Sequence, residues 1–186
     1  MTNEEKIWNY LYAELKNPYG TAGLMGNLFA ESSLNPILAN NIKKQGITSE
    51  QYTQIVDEGK NDNFITDGIA YGLAQWCFHT RKKGLLEKAR AQKRSVGDLY
   101  VQLEYLIEEI KKYTTVYKVL LDARTIREAS DTVLVKYEKP ANQSEAVKAK
   151  RASYAEKYFQ KYNATGQIKI KKRFARELLR RLENPT

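Results

Sequence analysis

Three glycines at three-residue steps, Gly20, Gly23 and Gly26, fall inside a single helical segment. Asn17-Pro18 supplies an N-cap and a first-turn proline for that helix, which runs from Pro18 to about Ser32. Each glycine costs about 1 kcal/mol against alanine in a helix interior. Such a stripe is tolerated when neighbouring helices pack tightly, so the segment reads as a central, buried helix. It ends in Glu31-Ser32-Ser33.

The remaining periodicities are mostly helical. Ile7, Leu11 and Leu15 mark a first amphipathic helix over about Asn3–Lys16. Thr48 and Gln51 form a capping-box pattern opening a short helix to Glu58. The stretch from Gly59 to Gly72 is rich in Gly, Asn and Asp, with Phe64-Ile65-Thr66 as its one β-like run, so a small hairpin or irregular loop is expected. Helices then follow over about Leu73–Phe78, Thr80–Gln92, from Ser95-x-x-Asp98 onward, from Thr125 to about Glu138, and over about Ser144–Tyr162. The class is mainly α with at most a small β-hairpin. Asn163-Ala164-Thr165-Gly166 reads as a linker, dividing a domain over 1–163 from a basic amphipathic C-terminal helix within 164–186. In that tail seven cationic side chains oppose Glu177 and Glu183, leaving five of the nine net positive charges of the 186-residue chain.

Composition narrows the chemistry. One cysteine, Cys77, excludes an intramolecular disulfide framework and a zinc site built on several thiolates. One histidine, His79, leaves a His-rich metal site without ligands and reads as a groove-edge or capping residue. Cys77 reads as a small semi-buried side chain. Thirteen tyrosines suit stacking on sugars or bases. The N-terminus lacks a basic, then apolar, signal pattern, and the longest near-apolar run, Ala22–Ala30, is far short of the ~20 residues of a membrane span. The expectation is a product made in a cytoplasm, without a transmembrane segment.

Glu31 follows that nine-residue run, broken only by Asn27. It is either a helix end facing water or a carboxyl group in apolar surroundings. In the second case its pKa rises and it can donate a proton near neutral pH. A second constellation is Asp67-Gly68-Ile69-Ala70-Tyr71-Gly72-Leu73-Ala74-Gln75-Trp76, a tight turn leading towards an amide and an indole. Gln75 can donate and accept while Trp76 offers a flat face, a pairing suited to a pyranose. The alternative is a loop–helix junction with a core tryptophan.

Taken together, these blocks resemble a known family. Gly26-Asn27-Leu28-Phe29-Ala30-Glu31-Ser32-Ser33-Leu34-Asn35-Pro36 resembles the catalytic-glutamate segment of the phage-tail-type lysozyme domain. Tyr71-Gly72-Leu73-Ala74-Gln75-Trp76, followed by Arg81-Lys82-Lys83-Gly84-Leu85-Leu86, resembles its Gly-Leu-x-Gln-Trp block. Tyr137-Glu138-Lys139-Pro140-Ala141-Asn142-Gln143-Ser144, with Lys150-Arg151-Ala152-Ser153-Tyr154-Ala155, is similar to its closing motif. The three blocks agree in order and spacing and span about Glu4–Tyr162. The resemblance implies a lysozyme-like helical fold and cleavage of the β-1,4 bond between N-acetylmuramic acid and N-acetylglucosamine in peptidoglycan, without a cofactor or metal. It implies Glu31 as the catalytic acid, Tyr71, Gln75 and Trp76 in the substrate groove, and Tyr137 and Glu138 on its far wall. Asp67 is the first choice for a partner carboxylate, with Asp57, Glu58 and Asp62 as competitors.

A partner at roughly 6.5–9.5 Å would activate water and invert the anomer, and one at about 5–5.5 Å would act as nucleophile. With neither, Glu31 alone would serve as acid and then base, giving the 1,6-anhydro ends of a lytic transglycosylase. The basic charge suits anionic wall polymers, an attraction weakened by salt. Action at the wall would follow release, through a holin or from a virion. Rival readings are a non-catalytic virion protein and a nucleic-acid-binding helical module. The second is opposed by the lack of recognition-helix spacing.

Overall fold

The computed structural model describes residues 2–163, and the proposed C-terminal helix lies outside them. Helices are α1 (Asn3–Leu15), α2 (Pro18–Ser32), α3 (Ser49–Asp57), α4 (His79–Ala91), α5 (Leu99–Lys112), α6 (Thr114–Asp122), α7 (Ile126–Val133) and α8 (145–163), with a 3-10 turn at Ile42–Gln45. The segment Leu134–Glu138, which sequence periodicity joins to α7 as one helix, is a π-helical turn ended by left-handed Lys139 before Pro140. α6 carried no clear sequence signal of its own.

The caps explain the boundaries. Asn17 accepts from the amides of Tyr19 and Gly20 and donates to Leu121 O and Ala123 O, so it starts α2 and holds the end of α6. Capping boxes open α1 at Thr2 and α3 at Thr48, and Asp98 and Thr125 cap α5 and α7.

α2 is the central helix. A Cβ on Gly20 would lie 1.9 Å from Leu120 O, one on Gly23 2.5 Å from Ala129 Cβ, and one on Gly26 2.7 Å from Ala155 Cβ. The glycine stripe thus lets α6, α7 and α8 approach at backbone range. The apolar core gathers around it, from Ile7, Leu11, Leu24 and Leu28 to Leu103, Leu106, Ile110 and Val133.

No strand forms among the described residues. Tyr71 makes isolated antiparallel bridges to Ala39 and Trp76. The β-like Phe64-Ile65-Thr66 run is a turn, because the Phe64 ring is buried against Tyr52 and Tyr71. The helix expected over Leu73–Phe78 is also absent. Gly72 and Gln75 both adopt left-handed backbone there (φ 78° and 47°), which a helix cannot include. No helix among the described residues is long and apolar enough to cross a membrane.

Gly20→Ala tests the close approach. Alanine gains about 1 kcal/mol of helix propensity, but the clash with a backbone carbonyl gives an overpacking cost of about 1–3 kcal/mol. The expected result in urea unfolding is a lower midpoint, whereas an isolated helix would be stabilised.

Candidate active site

Glu31 lies in the last turn of α2 with its side chain 20% exposed. The sequence admitted either a water-facing helix end or an apolar surrounding, and the structure shows a third arrangement. Arg151 Nη2 of α8 pairs with Glu31 Oε1 at 2.6 Å. Arg151 is fixed in turn by Nη1 donating to Asn27 Oδ1 at 3.1 Å. Asn27 is wholly buried, and its Nδ2 donates to Gly23 O, Ser130 O and Ser130 Oγ. The polar break in the Ala22–Ala30 run is therefore the support of the guanidinium.

The next residue along fastens this helix end to the second block. Ser32 Oγ donates to Leu28 O and to Leu73 O, the latter at 2.9 Å. Leu73 N donates to Oε1 of buried Gln102 on α5, and Gln102 Nε2 donates to Pro36 O and Val96 O. Gln75 has a tethering role, with Nε2 donating to Leu38 O and Gly72 O.

Three residues expected on the groove surface are core groups. Trp76 is 0% exposed, so its indole cannot stack on a sugar, and its Nε1 donates to Glu109 Oε2 at 2.9 Å. Tyr71 is equally enclosed, with its hydroxyl 2.7 Å from Thr53 Oγ1. Tyr137 is buried and donates to Glu109 Oε2 at 2.5 Å. A large aromatic beside a tight turn gains more from the core than from display, because each ring buries 150–250 Å².

Asp67 is engaged elsewhere. Its Oδ1 pairs with fully buried Lys82 Nζ at 2.6 Å, its Oδ2 accepts from the Tyr52 hydroxyl at 2.5 Å, and the Ile69 amide donates to it as well. Lys82 also donates to Ile69 O and lies over the Phe64 ring. These bonds make Asp67 an anchor of the 59–72 loop. Among its competitors, Asp57 accepts from Ser95 Oγ and the Val96 amide, Glu58 pairs with Lys60, and Asp62 is exposed. Cys77, expected semi-buried, is exposed, and His79 opens α4 behind the exposed Phe78.

Beneath the site lies Glu109, a buried acid that sequence reasoning missed. Arg81 grips it at both oxygens (2.7 and 2.8 Å) and lies over the Tyr137 ring. Burial raises the Glu109 pKa, but Arg81, Tyr137 and Trp76 outweigh burial and hold it below the usual carboxylate value. A charge in the apolar stripe of α5 was the available signal. Glu138, at the end of the π-helical turn, is the opposite case. Its Oε1 is sealed from solvent with no hydrogen-bond partner. Burial first, and then the Glu31 charge, push its pKa up to about 8 against the pull of Arg81 and Arg151. No cluster of three or more His, Cys, Asp or Glu side chains among the described residues could hold a metal ion.

A family model described as phage tail lysozyme matches residues 2–162, which takes in all three blocks and every residue of this site.

The Arg81–Glu109 pair generates a stability prediction. Glu109→Leu strands the guanidinium and costs about 3–5 kcal/mol, while Arg81→Met combined with Glu109→Leu recovers most of that loss. Because the folded pKa of Glu109 lies below its unfolded value, the wild-type advantage is complete above the ordinary carboxylate pKa. It is lost as pH falls through the folded pKa. Urea titrations between neutral and acid pH should show the gap to Glu109→Leu closing.

Proposed function

The chain belongs to the phage tail lysozyme family, a family of lysozyme-like wall-degrading activity, and on that premise we propose that it is a peptidoglycan glycosidase. It cleaves the β-1,4 bond between N-acetylmuramic acid and N-acetylglucosamine, with Glu31 as general acid. The observation that carries this reading is the Glu31–Arg151–Asn27 chain: a partly exposed carboxyl group at a helix end, held by a guanidinium that is itself fixed by a buried amide.

The geometry suits proton donation. Glu31 protonates the bridging oxygen as the C–O bond lengthens towards an oxocarbenium-like state. Arg151 then pairs with the carboxylate left behind. Asn27 prevents the guanidinium from turning away.

Two outcomes are open to the cation. Inversion requires a second carboxylate to activate water on the far face. The engagement of Asp67 by Lys82 and Tyr52 supports the other route, in which the muramic C6 hydroxyl attacks and a 1,6-anhydro end forms. With Trp76, Tyr71 and Tyr137 in the core, sugar contacts fall to polar groups and to Gln75 at the loop surface. The net charge of +9 concentrates the protein near anionic wall polymers. Delivery to the wall through a holin or on a virion is consistent with this activity.

Digestion of purified Gram-positive peptidoglycan by wild type and by Glu31→Gln, read by mass spectrometry of the muropeptides, tests the reading. Wild type should release glycan fragments, and Glu31→Gln should lose about 10²–10⁴-fold in rate with its fold intact. Reducing muramic ends identify a hydrolase and 1,6-anhydro ends a transglycosylase. Absence of any glycan cleavage by folded protein overturns the enzyme reading and leaves a non-catalytic virion or nucleic-acid-binding role.

A further inference from the structure

The 59–72 loop closes one side of a concavity that the chemistry at Glu31 leaves unused. Its volume is about 340 Å³, and α3, the loop and the end of the 3-10 turn supply its lining. That size lies at the lower end of the range for small-ligand pockets. Ile47, Ile55 and Ile69 form its apolar walls, and Gln45, Asn61 and Asn63 its polar edge.

The charges on this lining are already cancelled. Asp67 is held by Lys82 at 2.6 Å, and Lys60 pairs with Glu58 at 2.7 Å. A charged ligand would find no counter-charge to spare, so the pocket suits a neutral one. What remains unspent is amide chemistry. The side chains of Gln45 and Asn63 make no hydrogen bond among the described residues, and each offers both a donor and an acceptor. A peptide group needs one of each, and branched aliphatic walls beside them fit methyl groups. Amides alternating with small alkyl groups are the pattern of an alanine-bearing peptide. A pyranose asks for a ring face to stack on and free carboxylates for its hydroxyls. Tyr52 is the aromatic residue of this lining and is only 3% exposed. Asp67, its carboxylate, is spent on Lys82, the Tyr52 hydroxyl and the Ile69 amide.

The pocket is tied to the candidate active site through its own wall. Ile69 stands four residues before Leu73, so at most about 14 Å of chain separates them. Leu73 O in turn accepts from Ser32, the neighbour of Glu31. A peptide stem of about five residues spans roughly 17 Å when extended, a reach of the same order.

We propose that this pocket binds the alanine-bearing peptide stem of peptidoglycan, so that the protein selects peptide-substituted strands over bare glycan. The inference rests on the reading of the chain as a peptidoglycan glycosidase. Methyl groups of the stem lie against Ile47, Ile55 and Ile69, and its backbone amides bond to Gln45 and Asn63. The stem is held alike before and during glycan cleavage, so the pocket supplies uniform binding. It lowers KM on substituted strands and leaves kcat unchanged.

The test has two readings on the full chain. In nitrogen-15 NMR spectra, the side-chain NH₂ signals of Gln45 and Asn63 should move on addition of free stem tetrapeptide. They should stay still with a tetramer of N-acetylglucosamine. In kinetics, wild type should show a lower KM on uncrosslinked peptide-bearing strands than on the same strands stripped of peptide by an amidase. Gln45→Ala combined with Asn63→Ala should raise KM on the peptide-bearing strands about tenfold, the worth of two ordinary hydrogen bonds. Both side chains are exposed, so the double variant should fold. A double variant that keeps the wild-type preference overturns the proposal, as does a wild type that treats the two strands alike. Signals moved by neither probe, or by the sugar tetramer and not the peptide, overturn it as well. Failure to cleave either strand, with stem peptide still bound at Gln45 and Asn63, overturns the glycosidase reading instead and leaves the pocket standing.

Discussion

The close approach of three helices to the backbone of α2 sets every other distance in the molecule. Where Gly20, Gly23 and Gly26 face Leu120, Ala129 and Ala155, nothing larger than an alanine methyl separates the helices. With only alanine methyls between them, α7 and α8 reach the same stretch of α2. Asn27, one residue past the last glycine, is therefore within reach of Ser130 on α7 and Arg151 on α8 at once. A single methyl group inserted on this stripe would move Arg151 relative to Glu31, which lies about one turn further along α2. The helix-propensity cost of three glycines is the local expression of a constraint whose benefit appears only at the ion pair.

Charge matching then divides the molecule into nearly neutral units. Arginine cannot be deprotonated in a protein interior, so each buried guanidinium demands a carboxylate. Arg81 with Glu109 satisfies this rule beneath the site, and the buried ammonium of Lys82 is matched separately by Asp67 under the 59–72 loop. Such pairs are weak evidence for added stability, since desolvation offsets much of their attraction. Their effect here is on geometry. Trp76, Tyr137 and Arg81 all converge on Glu109, which fixes the second block and the closing motif to α5.

What could be read in the chain was local. Asn17-Pro18 and Thr48-x-x-Gln51 announce helix starts through side chain–backbone bonds that close within three residues, and each is where it was expected, whereas the Ser95-x-x-Asp98 pattern places the next start a turn early, because Asp98 is itself the cap of α5. The central place of α2 followed from its glycines. The segment after Gly72 was misread because the left-handed conformation of Gln75 is imposed by Leu38 and Gly72, and a non-glycine residue gives no warning of it. The π-helical turn shows the same limit, since Leu134–Glu138 continues the apolar spacing of α7 while its backbone changes register. Side-chain roles were harder still. Trp76 and Tyr137 were assigned by what their rings can do, whereas their positions are decided by Glu109, 33 and 28 residues away in the chain. Asp67 was assigned as a loop acid, and Lys82, the residue that claims it, is 15 positions later.

The inward turn of the tyrosines gives their abundance a different meaning from sugar stacking. Tyr52 ends on Asp67, Tyr71 on Thr53, Tyr105 on the carbonyl of Arg81, and Tyr137 on Glu109. Each ring fills core volume while its hydroxyl fixes one strategic group, a combination phenylalanine cannot supply. General acid catalysis needs its proton within hydrogen-bonding reach of one oxygen atom, and a carboxyl group on a helix end is only as well placed as that end. Here the end is clamped through Leu73, whose carbonyl takes the Ser32 hydroxyl and whose amide is held by Gln102. The loop carrying Leu73 is held by buried rings. On the proposed reading of Glu31 as general acid, these buried rings work one step behind the substrate: they fix the loop, the loop fixes the helix end, and the helix end fixes Glu31.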